Sequence, residues 1–203
     1  EGIEGSGKSY LSKKLFSNIK KIKLPVILTR EPGGTLAAEQ IREIILRDYF
    51  RQNSKEKFDK YTDTLLYLAA RNEHVINKIK PALNKKKIII CDRFVDSTFA
   101  YQVSGKGVKK NLIDTIHKHI LGSLKADLTF VLKVNISKAM SRIKKRKFKN
   151  RYDKFSKSFY TKAQNSFLRT AKGNKRYFVI DNSHDSKNVE KIILKKFLER
   201  FNK

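Results

Sequence analysis

One segment near the start of the chain constrains the fold more than any other feature. Residues 2–9 read GIEGSGKS, a complete G-x-x-x-x-G-K-S phosphate loop. Its glycines let backbone N–H groups turn toward phosphate oxygens, and the helix that follows directs its N-terminus at the same anion. The alternative is a glycine-rich turn before a helix. The predicted nucleotide-binding residues are Gly2, Glu4, Gly5, Ser6, Gly7, Lys8 and Ser9, with Lys8 neutralising the β- and γ-phosphates and Ser9 binding Mg²⁺.

Short apolar runs alternate with longer amphipathic stretches along the rest of the chain. The apolar runs predict strands at 26–29, 88–91, 128–134 and 177–180. Helical spacing, as in Leu11, Leu15 and Ile19, predicts helices at 9–19, 37–46, 64–79, 112–121, 137–146, 156–171 and 188–201. The alternation indicates α/β architecture: one domain over 1–203, with helices on both faces of a parallel sheet of about five strands.

The fifth strand of that sheet is expected to come before the phosphate loop. Such a loop normally follows a central strand, yet only Glu1 precedes it. We therefore expect the native protein to carry roughly 8–10 further N-terminal residues that form a strand of ordinary length. The alternative is that the chain as given folds poorly.

Composition narrows the class of protein further. Lys and Arg number 47 against 19 Asp and Glu, a formal charge of +28 that attracts polyanions of any kind. The basic residues lie in short scattered clusters, which favours a solvated Lys-rich surface, and no specific nucleic-acid partner is expected.

The single Cys excludes a disulfide framework. No apolar run approaches the roughly 20 residues of a membrane span and no signal peptide is evident, so we expect a cytoplasmic protein with no membrane partner.

A second candidate metal ligand follows the buried run at 88–91. Asp92 stands at the carboxyl end of this predicted strand, where phosphate-loop proteins hold Mg²⁺ through water. The alternative role for Asp92 is a helix cap. Arg93, next to it, requires an anionic partner if it is buried.

Several longer motifs occur in a fixed order with the phosphate loop. They are TREPGGT at 29–35, YLAAR at 67–71, DRFVDSTFAYQ at 92–102 and ADLT at 126–129. In this order and spacing the chain resembles the bacterial thymidylate kinase (dTMP kinase) family over essentially its whole length. The resemblance implies the fold of phosphate-loop NTPases, transfer of phosphate from ATP to dTMP with Mg²⁺, and a homodimer.

The resemblance also implies roles for individual residues. Glu4 matches the acid that receives the sugar 3′-hydroxyl, Tyr67 the ring that stacks on thymine, and Arg71 the donor to thymine O4. Tyr67 could instead be ordinary helix core, and the 29–35 segment an ordinary turn fixed by Pro32 and Gly33. The residues implied to bind dTMP are Glu4, Arg30, Glu31, Arg42, Tyr67, Arg71, Arg93, Ser97, Thr98, Tyr101 and Gln102, of which Arg42 and Arg93 would hold the phosphate.

The polar stretch at about 143–157 is predicted to be a lid. In one layout of the family, an arginine follows the acid of the phosphate loop, but Gly5 stands there in this chain. The other layout carries its arginines in the lid, and the candidates in this chain, in order of preference, are Arg146, Arg142 and Arg151. The other residues predicted to be catalytic are Lys8 and Arg93. The alternative is a solvated basic helix.

Two other functions compete with phosphorylation of dTMP. One is a kinase for another nucleoside monophosphate on the same fold. The other is a basic, nucleic-acid-binding phosphate-loop protein, but binding a polymer does not require the 29–35 and 92–102 segments.

Overall fold

A computed structural model describes residues 1–47, 57–148, 150–184 and 186–201. The α/β prediction is confirmed. The strands are β1 (Val26–Arg30), β2 (Ile88–Asp92), β3 (Thr129–Lys133) and β4 (Tyr177–Asp181). The α-helices are α1 (Lys8–Lys21), α2 (Leu36–Leu46), α3 (Lys60–His74), α4 (Lys80–Asn84), α5 (Val95–Thr98), α6 (Lys110–Leu121), α7 (Ile136–Lys144), α8 (Lys157–Ala171) and α9 (Ser186–Phe201). Two π-helical segments (Val75–Ile79 and Phe99–Gly105) and a 3₁₀ helix (Arg151–Lys154) complete the elements.

The strands pair in parallel, but the expected five-stranded sheet is not confirmed. Within the described part of the chain, β1 pairs with β2 and β3 pairs with β4. Glu1 contacts both pairs: its backbone nitrogen donates to Phe130 O (2.7 Å), and its carbonyl accepts from Leu132 N (2.9 Å). Its carboxylate accepts from Phe94 N (2.6 Å), just beyond β2. The phosphate loop therefore begins between the two strand pairs.

Helix α1 follows the loop and packs as its apolar spacing predicts. Leu11, Leu15 and Ile19 are buried against Leu132 of β3 and Ile180 of β4. Burial of this stripe sets which face of α1 packs on the strands, because such a helix face is stabilised mainly by tertiary packing. The direction of α1 is set by a hydrogen bond from its first turn to the last residue of β2. The N-terminus of α1 therefore lies at the carboxyl end of the strands, where open α/β sheets bind their ligands.

The predicted lid contains packed as well as exposed residues. Helix α7 ends at Lys144, and the 3₁₀ helix Arg151–Lys154 precedes α8. Ile143 and Tyr152 are buried, each 3% exposed. Of the predicted 143–157 segment, residue 149 lies outside the described residues. Among the residues that the structure does describe, no helix has the length and apolar content needed to cross a membrane.

Candidate active site

The phosphate loop packs tightly against the elements around it. Gly5 has φ +74°, and a Cβ there would lie 2.5 Å from the carbonyl oxygen of Ala139 in α7. Gly7 has φ +93° and occupies the N-cap of α1 in a left-handed conformation. A side chain at Gly5 would clash with α7 and one at Gly7 would clash with the buried side chain of Asn182, and both would be strained, so the packing around the loop requires glycine.

Lys8 folds back over the loop that it follows. Its Nζ donates to Ile3 O (2.7 Å), which keeps the ammonium group beside the N-terminus of α1. Burial and the neighbouring Arg93 lower the pKa of Lys8 to about 8. A bound anion would favour the charged form again, because opposite charge stabilises the ammonium ion.

Ser9 and Asp92 meet beside the loop. The Ser9 hydroxyl donates to Asp92 Oδ2 (2.5 Å), and the buried Oδ1 has no hydrogen-bond partner among the described residues. Burial would raise the pKa of Asp92, but the charges of Lys8 and Arg93 outweigh burial and lower it. An ionised carboxylate with a free buried oxygen, next to a hydroxyl, fits the oxygen ligands that Mg²⁺ prefers.

Arg93 links the phosphate loop to the second half of the site. Its guanidinium group donates to Gly2 O (2.9 Å), Ser97 Oγ (3.1 Å) and Glu4 Oε1 (2.7 Å). The Tyr101 hydroxyl donates to the other oxygen of Glu4. Burial would lower the pKa of Arg93, but Glu4 raises it above its usual value, whereas Arg93 and Lys8 lower the pKa of Glu4 against the effect of burial. Both groups are therefore charged at neutral pH.

A single cavity joins the loop to the arginine-rich region. The predicted residues that line it are Glu4, Lys8, Ser9, Arg30, Glu31, Arg42, Tyr67, Arg71, Asp92, Arg93, Ser97, Thr98, Tyr101, Gln102 and Arg146. Predicted residues that do not line it are Gly2, Gly5, Ser6, Gly7, Arg142 and Arg151. The structure thus brings the two halves of the predicted site together around one space.

Arg71 is held on one wall of this cavity by buried partners. Its Nε donates to Glu31 Oε2 (2.8 Å), and one terminal nitrogen donates to Thr98 Oγ1 (2.7 Å) and His117 Nε2 (2.6 Å). Burial and Arg71 lower the pKa of His117 to about 4, so its ring is neutral and accepts at Nε2. Burial would raise the pKa of Glu31, but Arg71 lowers it. Glu31 therefore acts on the cavity by orienting Arg71.

Two further arginines stand near the end of β1. Arg42 donates to Pro32 O (2.7 Å), and Arg30 donates to Glu39 Oε2 (2.9 Å). The other oxygen of Glu39 accepts from Gly34 N (2.9 Å), so it braces the turn that follows β1. With Arg93, these side chains make this end of the cavity suited to a phosphate monoester.

The structure separates the three candidate lid arginines. Arg146 lines the cavity and donates to Asp153 Oδ1 (2.6 Å), and its side chain is 40% exposed. Arg142 instead donates to Gly5 O (3.1 Å) and Asn182 O (3.1 Å), behind the phosphate loop. Arg151 donates to Asp63 and to the carbonyl oxygen of Ile45. Arg146 is thus the candidate that faces the cavity.

Tyr152 and Asn182 are among the residues of the site that sequence reasoning missed. Tyr152 lines the cavity, with its ring edge-to-face against Tyr67 at a centroid distance of 5.8 Å. Asn182, just after β4, donates to Ser6 O (2.8 Å) and supports the phosphate loop. Tyr152 could have been found as an aromatic residue inside an otherwise basic stretch, but no local pattern indicates Asn182.

A phosphate loop that shares a cavity with a cluster of arginines defines a class of protein, the phosphate-loop kinases that act on nucleotides. The family model described as "Thymidylate kinase" matches residues 1–193. The chain belongs to the thymidylate kinase family.

Individual relatives agree with this assignment. A thymidylate kinase of Mycoplasma capricolum subsp. capricolum is 38% identical over 203 residues, covering 98% of this chain and 93% of that protein. One from Wolbachia sp. subsp. Brugia malayi is 42% identical over 174 residues, covering 84% and 78%. The crystal structure of thymidylate kinase from Ehrlichia chaffeensis superposes with a TM-score of 0.76 at 32% identity, covering 97% of this chain and 95% of that one.

Proposed function

We propose that this protein transfers the γ-phosphoryl group of ATP to dTMP, producing ADP and dTDP. The observation that carries the proposal is the continuous cavity between the phosphate loop and the arginine cluster. Direct transfer needs both phosphates in one space, and the acceptor phosphate is already an anion that requires no protein nucleophile.

The phosphate loop is the proposed site for ATP. Backbone N–H groups of residues 2–9, the N-terminus of α1 and the Lys8 ammonium group would hold the β- and γ-phosphates. Ser9 and Asp92 would hold Mg²⁺, and the unpartnered Asp92 Oδ1 supports this assignment. A bound Mg²⁺ would neutralise negative charge on the β- and γ-phosphates.

The arginine-rich end is the proposed site for dTMP. Arg42 and Arg93 would hold the monophosphate, with Arg30 and Ser97 beside them. Glu4 is ionised and would accept a hydrogen bond from the sugar 3′-hydroxyl, next to the Tyr101 ring. Tyr67 would stack on the base, whose edge would meet Arg71, Thr98 and Gln102.

Arg146 is the proposed catalytic arginine of the lid. To reach a migrating phosphoryl group it must exchange its hydrogen bond with Asp153 for phosphate oxygens, an exchange that its 40% exposure allows. Arg142 would instead brace the phosphate loop, and Arg151 would anchor the 3₁₀ helix. We propose that the 143–157 segment closes over the substrates and excludes water.

We further propose a homodimer in the cytoplasm. Leu36 of α2 is 83% exposed, Leu65 of α3 is 51% exposed and Ile76 just beyond α3 is 46% exposed. Large apolar side chains at this exposure on neighbouring helices favour burial against a second copy. Sedimentation analysis of the protein and of Leu65→Lys tests the assembly: the wild type should sediment as a dimer and the variant as a monomer.

The enzymatic proposal is tested by measuring ADP release from MgATP with dTMP, dUMP, dCMP, AMP and GMP in turn. We expect dTMP to give the highest kcat/KM. A faster reaction with another monophosphate would assign the site to a different acceptor. If no monophosphate stimulates ADP release, the proposed function is wrong.

A further inference from the structure

A buried carboxylate on α3 lies just outside the cavity and has partners on two other segments of the chain. Asp63 of α3 is fully buried. Its Oδ2 accepts from Lys106 Nζ (2.5 Å), Tyr152 OH (2.9 Å) and Gln102 Nε2 (3.4 Å). Its Oδ1 accepts from the Arg151 guanidinium group. Asp63 therefore connects α3, the segment after α5 and the 3₁₀ helix of the predicted lid.

The negative charge of the buried Asp63 explains why cationic side chains surround it. A buried carboxylate is costly unless cations and hydrogen-bond donors surround it. Here a lysine and an arginine from separate segments share one carboxylate, and Lys106 Nζ also donates to Tyr152 OH (3.1 Å). Moving the 3₁₀ helix would remove Arg151 and the Tyr152 hydroxyl from Asp63 together. The Asp63 carboxylate therefore has all of these partners only when the 3₁₀ helix is packed against α3.

Asp63 does not line the cavity, but two of its partners do. Gln102 and Tyr152 both face the enclosed space. The Tyr152 ring lies edge-to-face against Tyr67, and its centroid is 6.0 Å from that of Tyr101. Asp63 thereby fixes the positions of side chains at the arginine-rich end of the cavity, the proposed site for dTMP.

We infer that Asp63 is a positioning residue that holds Gln102, Tyr152 and the 3₁₀ helix in place around the nucleoside of the monophosphate substrate. This inference rests on the proposed function. The substitution of Asp63 is expected to weaken use of the monophosphate selectively, because none of these side chains lies at the phosphate loop.

The first test is Asp63→Asn, which keeps the size of the side chain but leaves Lys106 and Arg151 without their anion. We expect KM for dTMP to rise about tenfold, while KM for ATP changes less than twofold. The matched control is Asp114→Asn, since Asp114 makes an exposed ion pair with Lys110 on α6 (2.6 Å). The control should leave both KM values unchanged.

A second variant covers the case in which Asp63→Asn does not fold. Tyr152→Phe keeps the ring and removes only the hydroxyl that reaches Asp63, and it should raise KM for dTMP about threefold. Unchanged KM for dTMP in Tyr152→Phe, or equal changes in both KM values in folded Asp63→Asn, would overturn the inference and leave Asp63 a structural anchor.

Direct dTMP binding to each protein by calorimetry separates this inference from the proposed function. If the wild type does not bind dTMP, the proposed function fails. If the wild type binds dTMP and both variants bind it equally well, only the role of Asp63 fails.

Discussion

The two ends of the cavity are built in different ways. The phosphate-loop end is made mainly by eight consecutive residues and the start of one helix, with Asp92 added from β2. The arginine-rich end is assembled from α2, α3, the segment after β2 and the 3₁₀ helix, and its side chains hold one another. The first end depends on backbone shape and glycine, whereas the second depends on buried charge networks.

Because they are built differently, the two ends should respond differently to substitutions. The phosphate loop should lose function when one of its charged or glycine residues is replaced, but the residues around the replaced one should keep their positions. A network of buried side chains transmits a substitution, because each partner that is left unpaired must move or remain desolvated.

Lys8→Ala should impair the phosphate-loop end of the cavity and leave the arginine-rich end intact. The variant removes positive charge from the site of the migrating phosphoryl group, and we expect kcat to fall about 10³-fold. KM for dTMP should change less than threefold, because Lys8 is bound to the loop and not to the arginine network. Steady-state kinetics measure both values, with Lys14→Ala on the same helix as a control. A large rise in KM for dTMP would contradict the separation of the two ends.

Arg93→Ala should damage both ends, because Arg93 bonds to the loop at Gly2 and pairs with Glu4. We expect KM for dTMP to rise about 100-fold through loss of a phosphate-binding charge. The unpaired Glu4 should also lower the free energy of unfolding by about 2 kcal/mol, at the low end for buried pairs because the two side chains are 16% and 12% exposed.

Arg93→Lys is the matched variant for this prediction. It keeps the charge but not the planar fork, so denaturant unfolding should be close to wild type while KM for dTMP stays high. Equal recovery of stability and of KM would indicate that Arg93 contributes charge alone.

The same contrast explains what could be predicted from the sequence. The loop at 2–9 is a local pattern, and each part has a physical reason that can be read without a structure. The packing face of helix α1 can also be predicted, because Leu11, Leu15 and Ile19 repeat on one face. Several cavity-lining residues came from family resemblance, and their mutual contacts could not be derived from spacing.

What the sequence could not give was the pairing of distant side chains. Nothing local indicates that His117 would accept from Arg71, or that Asp63 would gather Lys106 and Arg151. The sequence of 143–157 predicts a polar stretch because its charges outnumber its apolar residues, yet Tyr152 is buried. A few aromatic contacts decided its packing, and an average over the window conceals them. The five-stranded sheet was expected from the motif and is not confirmed by the strand pairs of the described chain.

Asp92→Asn should affect the proposed metal site without affecting the arginine-rich end of the cavity. Loss of the carboxylate removes the charged oxygen proposed to face Mg²⁺, so the Mg²⁺ concentration for half-maximal rate should rise about tenfold. KM for dTMP at saturating Mg²⁺ should stay within twofold of wild type. Magnesium titration at fixed ATP measures the effect. An unchanged magnesium requirement would remove Asp92 from the proposed metal site.

The smallest predicted effect is a pH dependence confined to the phosphate-loop end. The pKa of Lys8 is lowered from 10.5 to about 8, so about half of the free enzyme has lost this charge at pH 8. Bound triphosphate favours the protonated form, and ATP binding above pH 8 must therefore include uptake of a proton. The apparent KM for ATP should be about fourfold higher at pH 8.5 than at pH 7, while KM for dTMP stays flat.

Lys8→Arg decides whether Lys8 causes this dependence, because arginine keeps its charge throughout the range. In that variant KM for ATP should be nearly constant between pH 7 and 8.5, whatever its absolute value. If the rise in KM for ATP persists in Lys8→Arg, another group titrates at the phosphate-loop end. If KM for dTMP rises in parallel in the wild type, the titrating group is shared, and the two ends of the cavity are coupled more closely than their separate construction implies.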